Sequence, residues 1–149
     1  MTEVLFYHLE RQPLEHVLPG LLEKCLERNW RAVVQVGSEA RRDALDAHLW
    51  TYRDESFLPH ATAKDGRAEA QPVWLTADDD NLNGATVRFL ADGAETADAT
   101  AYQRVVRIFD GNDPEAVDRA RAAWAAAKAA GHDATYWQQA DNGRWERKA

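Results

Sequence analysis

Short apolar runs alternate along this chain with segments of helical spacing, and this alternation is the strongest constraint on its fold. Strand-like runs occupy residues 3–9, 31–38, 72–77, 85–93 and 102–111. Helix-like segments follow the first, the second and the last of these runs. Strands separated by helices pair in parallel, and the helices then cover both faces of the sheet. The order predicts an α/β fold, a Rossmann-like three-layer α-β-α domain with a largely parallel central sheet, spanning residues 1–149.

Local signals place the ends of the helices and add a hairpin. Apolar residues recur at helical spacing over residues 13–28, where Pro19 predicts a late start or a kink. Ser38 is a candidate N-cap for the second helix. The third helix is alanine-rich, with Asp113 as its cap and Gly131 as a left-handed end. The tail predicts a C-terminal β-hairpin with strands at 135–139 and 144–148, around the turn Asp141-Asn142-Gly143.

Composition and charge exclude several classes of protein. The chain has 149 residues, enough for one domain with its own core. A net charge of -7 argues against direct binding of nucleic acid, so any DNA is expected to be reached through another protein. No apolar run approaches the roughly 20 residues of a membrane span, and no signal peptide is visible. Together with the single cysteine, Cys25, this predicts a cytoplasmic protein without a membrane partner.

Catalytic motifs are missing where this fold would carry them. Neither GxGxxG nor GxxxxGK[ST] follows the first two strands, so no cofactor is expected, and a small nucleotide-binding enzyme is the weaker alternative. The carboxylates of Asp78, Asp79 and Asp80 could hold Mg²⁺, although adjacent carboxylates in a turn are more often solvated. The histidines lack the spacing of a zinc site, and Cys25 is expected in the core. No catalytic or metal-binding residue is therefore predicted.

The alanine-rich helix carries the clearest candidate for a binding site. Arg121, Trp124 and Lys128 fall on one stripe of this helix, at i, i+3 and i+7, among small neighbours. They offer a guanidinium fork for a carboxylate, an apolar wall and a second positive charge, which suits an acidic peptide with a hydrophobic end. The alternative is that Trp124 points into the core and both cations are ordinary solvated charges.

A second unusual segment is LWTYRDESFLPH, residues 49–60, which is aromatic for a loop and polar for a helix. This segment, the FYHL of residues 6–9, the PVWL of residues 72–75 and the ARAAWAAAKAAGH of residues 120–132 together resemble the chi subunit of bacterial DNA polymerase III. The resemblance covers essentially the whole chain, and residues 49–60 are its most specific part. It implies a Rossmann-like accessory subunit of the clamp-loader complex without catalytic activity. It also implies two partners, the acidic C-terminal tail of single-stranded-DNA-binding protein, which ends in Ile-Pro-Phe, and the psi subunit.

The resemblance assigns roles to four residues of the predicted tail site. Arg121 is expected to grip the terminal carboxylate, Phe109 and Trp124 to line the slot for the terminal phenylalanine, and Lys128 to attract the upstream aspartates. Other family members carry more basic residues on this helix, where this chain has alanine. The electrostatic contribution is therefore expected to be smaller here, or to come from elsewhere, for instance from Arg104 or Arg107.

The same resemblance makes residues 49–60 the contact with psi, or with a helicase that competes for the same surface. Trp50 and Phe57 are the expected anchors, because buried aromatics with a polar rim form a small binding hot spot. The alternative is that Trp50 packs under its own helix and Phe57 fills the core. The sequence leaves three candidate functions: a replisome adaptor, a nucleotide-binding enzyme and a direct nucleic-acid binder. We favour the first.

Overall fold

The computed structural model describes residues 2–51, 60–62, 64 and 67–149. This part of the chain contains eight strands and three α-helices. In chain order they are β1 (Glu3–Leu9), α1 (Leu14–Glu27), β2 (Ala32–Gln35), α2 (Glu39–Thr51), β3 (Ala61–Thr62), β4 (Val73–Thr76), β5 (Val87–Leu90), β6 (Arg104–Asp110), α3 (Pro114–Ala129), β7 (Asp133–Gln139) and β8 (Trp145–Arg147). Within these ranges no helix combines the length and the apolar character needed to cross a bilayer.

The strands form one sheet in the order β3-β4-β2-β5-β6-β1-β7-β8. Each neighbouring pair is parallel except β7 and β8, which form the antiparallel C-terminal hairpin. The predicted α/β fold, with a largely parallel sheet and a C-terminal hairpin, is therefore confirmed. The two-residue strand β3 was not predicted, because it is too short to show a periodic pattern.

Side chains that alternate along the strands divide the core between the two faces of the sheet. On β1, Leu5 belongs to the apolar cluster that α1 and α2 cover, whereas its neighbour Phe6 packs beneath α3. In the same way Val106 of β6 faces the first pair of helices, while Phe109 faces α3. Helices therefore lie on both faces, as the three-layer prediction requires. α3 covers only the part of its face formed by β1, β6 and β7.

Loops close the remainder of that face around a fully buried arginine. Arg88 of β5 is 0% exposed, and its guanidinium donates to side-chain and backbone oxygens from three separate segments. The acceptors are Gln35 Oε1 at 2.5 and 3.1 Å, the Tyr102 hydroxyl at 3.0 Å, and the backbone carbonyls of Asp78, at 2.9 Å, and Asp80. Because a buried cation is costly without partners, these bonds fix the loops on either side of β5.

The ends of α3 follow from the residues that flank it. The Asp113 carboxylate accepts a hydrogen bond from the backbone N–H of Glu115 at 3.1 Å, and Pro114 occupies the first helical position. At the other end Gly131 has φ +81°, and the N–H of His132 reaches the carbonyl of Ala127. Both predicted ends of this helix are confirmed.

The predicted cap of α2 is confirmed, whereas the predicted late start of α1 is not. Ser38 Oγ accepts a hydrogen bond from the Arg41 N–H at 3.2 Å, as expected of the cap of α2. α1 begins at Leu14 and continues through Pro19, so the predicted late start is wrong. Pro19 itself is buried, and apolar residues on either side of it, Leu18 and Leu22, are fully enclosed in the core. Packing therefore maintains the helix despite the missing backbone donor.

Candidate protein-binding site

Arg121, Trp124 and Lys128 lie on one exposed stripe of α3, as their spacing predicted. Arg121 is exposed, and it forms no hydrogen bond or ion pair with any residue that the structure describes. The Lys128 Nζ lies 5.1 Å from the centre of the Trp124 ring, within reach of a cation–π contact. The guanidinium of Arg121 is therefore available to a ligand, and the indole lies beside a second cation.

Trp124 is half-buried, so it neither points wholly into the core nor stands free of it. Its ring meets the fully buried Phe6 ring edge to face, with centroids 5.4 Å apart. It meets the Tyr136 ring in the same way at 6.1 Å. Such edge-to-face contacts stabilise the ring in one orientation. Trp124 is thus anchored on the core while part of its surface remains open.

Phe109 lies near the carboxyl end of β6 and is 8% exposed. Its ring centre is 6.0 Å from that of Tyr136 and 5.2 Å from that of His8. Tyr136 therefore stands between Phe109 and Trp124, and Phe109 forms the floor of the site. We call this group the α3 aromatic site; it consists of His8, Phe109, Arg121, Trp124, Lys128 and Tyr136.

Tyr136 was not identified from the sequence, and it is the residue that links the others. It lies on β7 and is half-exposed, between the floor and the helix. Burial raises the pKa of the Tyr136 hydroxyl above its ordinary value; the Arg121 guanidinium opposes this rise, and the Glu10 carboxylate adds to it. The hydroxyl is therefore protonated at neutral pH and close enough to Arg121 to feel its charge.

His8 was also missed, and it lies enclosed at the end of β1. Its Nδ1 atom is hydrogen-bonded to the Tyr136 hydroxyl. Its Nε2 atom is 2.9 Å from Glu10 Oε1, which is ion-pair distance, although the contact lacks the geometry of a hydrogen bond. The backbone of Gly111 packs so closely that a methyl group there would lie 1.9 Å from Nε2. The His8 ring thus has little freedom to turn.

One signal in the sequence could have found these two residues. Alternation along β1 places His8 on the same face as Val4 and Phe6, the face that α3 covers. Tyr136 pairs with Phe6 in the register of β7, and it therefore lies diagonally next to His8 on that face. The pairing of β1 with β7 is a long-range contact, however, and the local pattern does not predict it.

Of the remaining candidate binding residues, those that the structure describes do not join this site. Trp50 falls in the last turn of α2, but its side chain, like the whole of Phe57, lies outside the described residues. Arg104 and Arg107 already have partners: Arg104 pairs with Glu3 at 2.9 Å, and Arg107 pairs with Glu95 at 2.8 Å. Neither arginine is therefore an unpaired cation that could supplement Arg121.

A second concavity, of about 560 Å³, lies outside the carboxyl ends of β1, β5 and β6. Ligands of doubly wound folds bind at such a position. Five carboxylates and three arginines line it, and Arg41 is paired with Asp92 at 2.9 Å and with Glu15 at 3.0 Å. A net negative lining disfavours phosphate groups, so the cavity gives no support to the nucleotide-binding alternative.

The acidic turn formed by Asp78, Asp79 and Asp80 holds the loop at Thr96 and Ala97 in place through hydrogen bonds. Asp79 accepts hydrogen bonds from the Thr96 hydroxyl and the Ala97 N–H, both at 2.7 Å, which lower the pKa of its carboxyl. Burial raises the pKa of Asp80. In the described part of the chain, no group of three or more His, Cys, Asp or Glu side chains is arranged to hold a metal ion.

Comparison with known proteins gives consistent matches. The family described as "DNA polymerase III chi subunit, HolC" matches residues 1–135. The "Probable DNA polymerase III subunit chi" of Rickettsia prowazekii is 25% identical over 109 residues, which cover 73% of this chain and 66% of that protein. The "DNA polymerase III subunit chi" of Pseudomonas aeruginosa is 42% identical over 78 residues, which cover 50% of this chain and 54% of that protein.

The matched stretches span less than two thirds of either relative's length. The family match includes the residues of the α3 aromatic site up to Lys128 and ends one residue before Tyr136.

Proposed function

We propose that this chain, which belongs to the DNA polymerase III chi subunit family, is a non-catalytic replication accessory subunit that binds the acidic tail of single-stranded-DNA-binding protein. In this proposal the α3 aromatic site receives the tail's C-terminal Ile-Pro-Phe, and the subunit couples the tail to the clamp loader. One observation carries it: an exposed arginine without a partner among the described residues lies one turn from a half-buried indole.

Each part of the tail has a matching group in the site. The fork of Arg121 suits the terminal carboxylate, because a guanidinium can donate two parallel hydrogen bonds to it. The open surface of Trp124 and the Tyr136 ring suit the terminal phenylalanine, with Phe109 beneath them. Lys128, one turn further along α3, suits an upstream aspartate. The ligand is thus a peptide that carries an apolar side chain and a negative charge together.

The proposed adaptor role requires a second protein contact in addition to the tail site. We propose that psi, or a helicase, binds the segment of residues 49–60 through Trp50 and Phe57, on the resemblance alone. DNA is then reached only indirectly, through the proteins at either contact.

Calorimetric titration with a short acidic peptide ending in Ile-Pro-Phe, at two salt concentrations, tests the tail site. Arg121→Ala should weaken binding by about 1.5–3 kcal/mol, the scale of a hydrogen bond to a charged group. That loss corresponds to roughly a 10- to 150-fold rise in Kd. The melting temperature should not change, because Arg121 makes no polar contact within the described residues.

Two control variants test whether the loss of peptide binding is specific to Arg121. Arg119→Ala removes an exposed arginine from another side of α3 and should leave the Kd within about twofold of the wild-type value. Phe57→Ala should also keep tail affinity, since the proposal assigns this residue to the other contact. Equal losses in both arginine variants would reduce the interaction to general charge attraction. No binding by a folded sample would remove the tail proposal.

A further inference from the structure

The hydrogen bond between His8 and Tyr136 can run in either direction. A phenol oxygen and a ring nitrogen of histidine can each donate or accept, according to which of them carries the proton. The bond joins Nδ1 of His8 to the Tyr136 hydroxyl, at the centre of the α3 aromatic site. Its direction therefore decides whether Tyr136 presents a hydrogen or a lone pair to a ligand.

Neutral His8 directs the phenolic hydrogen away from the ligand. Its Nε2 atom lies 2.9 Å from Glu10 Oε1; this contact lacks hydrogen-bond geometry, but a lone pair on Nε2 would repel the carboxylate, so the single ring proton belongs on Nε2. Nδ1 then has a free lone pair, and the Tyr136 O–H donates to it. In this state the Tyr136 oxygen has only lone pairs left to present to a ligand, and lone pairs repel a carboxylate.

Protonated His8 reverses the bond. Both ring nitrogens then carry hydrogens, Nδ1–H donates to the Tyr136 oxygen, and the phenolic hydrogen becomes free to donate to a ligand. The positive ring is also attracted to the Glu10 carboxylate, whose Oε1 atom lies 2.9 Å from Nε2. The cationic form of His8 is thus the one in which Tyr136 offers a hydroxyl hydrogen to a ligand.

Charges of both signs lie near the His8–Tyr136 pair, and an anionic ligand changes their balance. The strand of His8 continues to Glu10, which favours the cation, and β7 contributes Gln138, whose amide donates to Glu10 at 2.8 Å. β6 presents the uncharged Phe109 and Gly111. α3 contributes the positive charge of Arg121, which is felt at Tyr136. A ligand carboxylate on Arg121 cancels that positive charge, so binding and protonation favour each other.

We propose that Tyr136 is a further ligand-binding residue of the α3 aromatic site, and that His8 is a positioning residue which turns the Tyr136 hydroxyl toward a peptide carboxylate by taking up one proton. The proton comes from solvent and ends on Nδ1, while the phenolic hydrogen stays on oxygen and changes its acceptor. No covalent bond forms or breaks. The inference rests on the proposed function, since it takes the C-terminal carboxylate of an acidic peptide as the ligand.

Proton uptake measured by calorimetry tests the inference. The same Ile-Pro-Phe peptide is titrated between pH 5.5 and 8 in pairs of buffers with different enthalpies of ionisation. A net uptake of up to one proton per peptide is expected within this range. Affinity should rise about tenfold as the pH falls across this range, the scale of one hydrogen bond to a charged group. The peptide's own carboxyl groups titrate near pH 4, below this range.

Single-residue variants test whether the proton uptake depends on His8 and Tyr136. Tyr136→Phe removes the hydroxyl, and His8→Leu removes the imidazole; each should flatten the dependence of affinity on pH. His132→Gln, which removes another histidine beyond the end of α3, should keep the wild-type profile. A peptide with a C-terminal amide should bind weakly, without proton uptake. Uptake that persists in Tyr136→Phe, or disappears in His132→Gln, would overturn the assignment.

The outcomes separate this inference from the proposed function. Binding that is abolished by Arg121→Ala but shows no proton uptake at any pH would leave the tail site intact and remove the role of His8. No binding at any pH would remove the proposed function itself.

Discussion

At the scale of single residues, Gly111 determines whether the His8 ring can occupy its position in the α3 aromatic site. A Cβ atom at this position would lie 1.9 Å from His8 Nε2 and 2.3 Å from its Cδ2. The ring cannot swing aside easily, because Tyr136 and Phe109 also pack against it. A side chain at position 111 would therefore displace His8 from both of its polar partners.

Gly111→Ala should accordingly lower the free energy of unfolding by about 1–3 kcal/mol, the usual cost of overpacking. It should also weaken tail binding and remove its pH dependence. Urea unfolding and the peptide titration measure the two effects. Gly20→Ala is the matched control, since no atom lies within 4 Å of the added methyl group and the site is inside a helix. It should raise stability by about 0.5–1 kcal/mol. A Gly111→Ala protein as stable as the wild type would show that His8 is free to move.

At the scale of elements, α3 is the helix on which the candidate site depends. It carries Arg121, Trp124 and Lys128, and its alanines have the highest intrinsic helix propensity. Only Ala120 and Ala127 are fully buried among its residues. Because α3 is anchored through few side chains, chiefly these alanines and Trp124, the cap of its first turn should contribute measurably to stability.

Asp113→Ala should lower the free energy of unfolding by about 1 kcal/mol, because it removes the acceptor of the Glu115 N–H. Asp113→Asn should retain most of the stability, since an amide oxygen also caps. Urea unfolding with an unchanged dependence on denaturant measures both variants. An equal loss in the two would assign the effect to charge at the helix end and not to the cap. Tail affinity should be unaffected by either change, because Arg121 lies two turns further along the helix.

The features that could be predicted from sequence are those formed by residues close together in the chain. Helical periodicity placed Arg121, Trp124 and Lys128 on one stripe, because the residues that define it are close in the chain. The ends of α3 were predicted for the same reason. His8 and Tyr136 were missed because their contact depends on the parallel pairing of β1 with β7, which are more than a hundred residues apart. Arg88 was missed likewise: its acceptors come from β2 and from two loops.

At the scale of the whole molecule, charge decides which partners the protein can meet. The net charge is -7, and many arginines are already paired, including Arg41, Arg104 and Arg107. Phosphate backbones require a cluster of unpaired cations. Arg121 and Lys128 form a short positive stripe on α3, which suits one short peptide segment and not a length of nucleic acid.

Bare single-stranded oligonucleotide should therefore show no binding in fluorescence anisotropy at physiological salt. The same oligonucleotide coated with single-stranded-DNA-binding protein should bind, through the tail. Removal of the tail from the coating protein is the control, and it should abolish the signal. Binding to the bare strand with an affinity that falls steeply as salt rises would instead indicate direct phosphate contacts.

The regular rise of α3 fixes the distance between Arg121 and Lys128, the two cationic residues of the stripe. Seven residues separate Arg121 from Lys128, which is about 10 Å along the helix axis at 1.5 Å per residue. An extended peptide advances about 3.3 Å per residue, so the same distance spans about three of its residues. With the terminal carboxylate on Arg121, Lys128 lies opposite the residue three positions upstream, the one that precedes Ile-Pro-Phe. The site would then distinguish tails by the distance between their last residue and their first negative charge, as well as by composition.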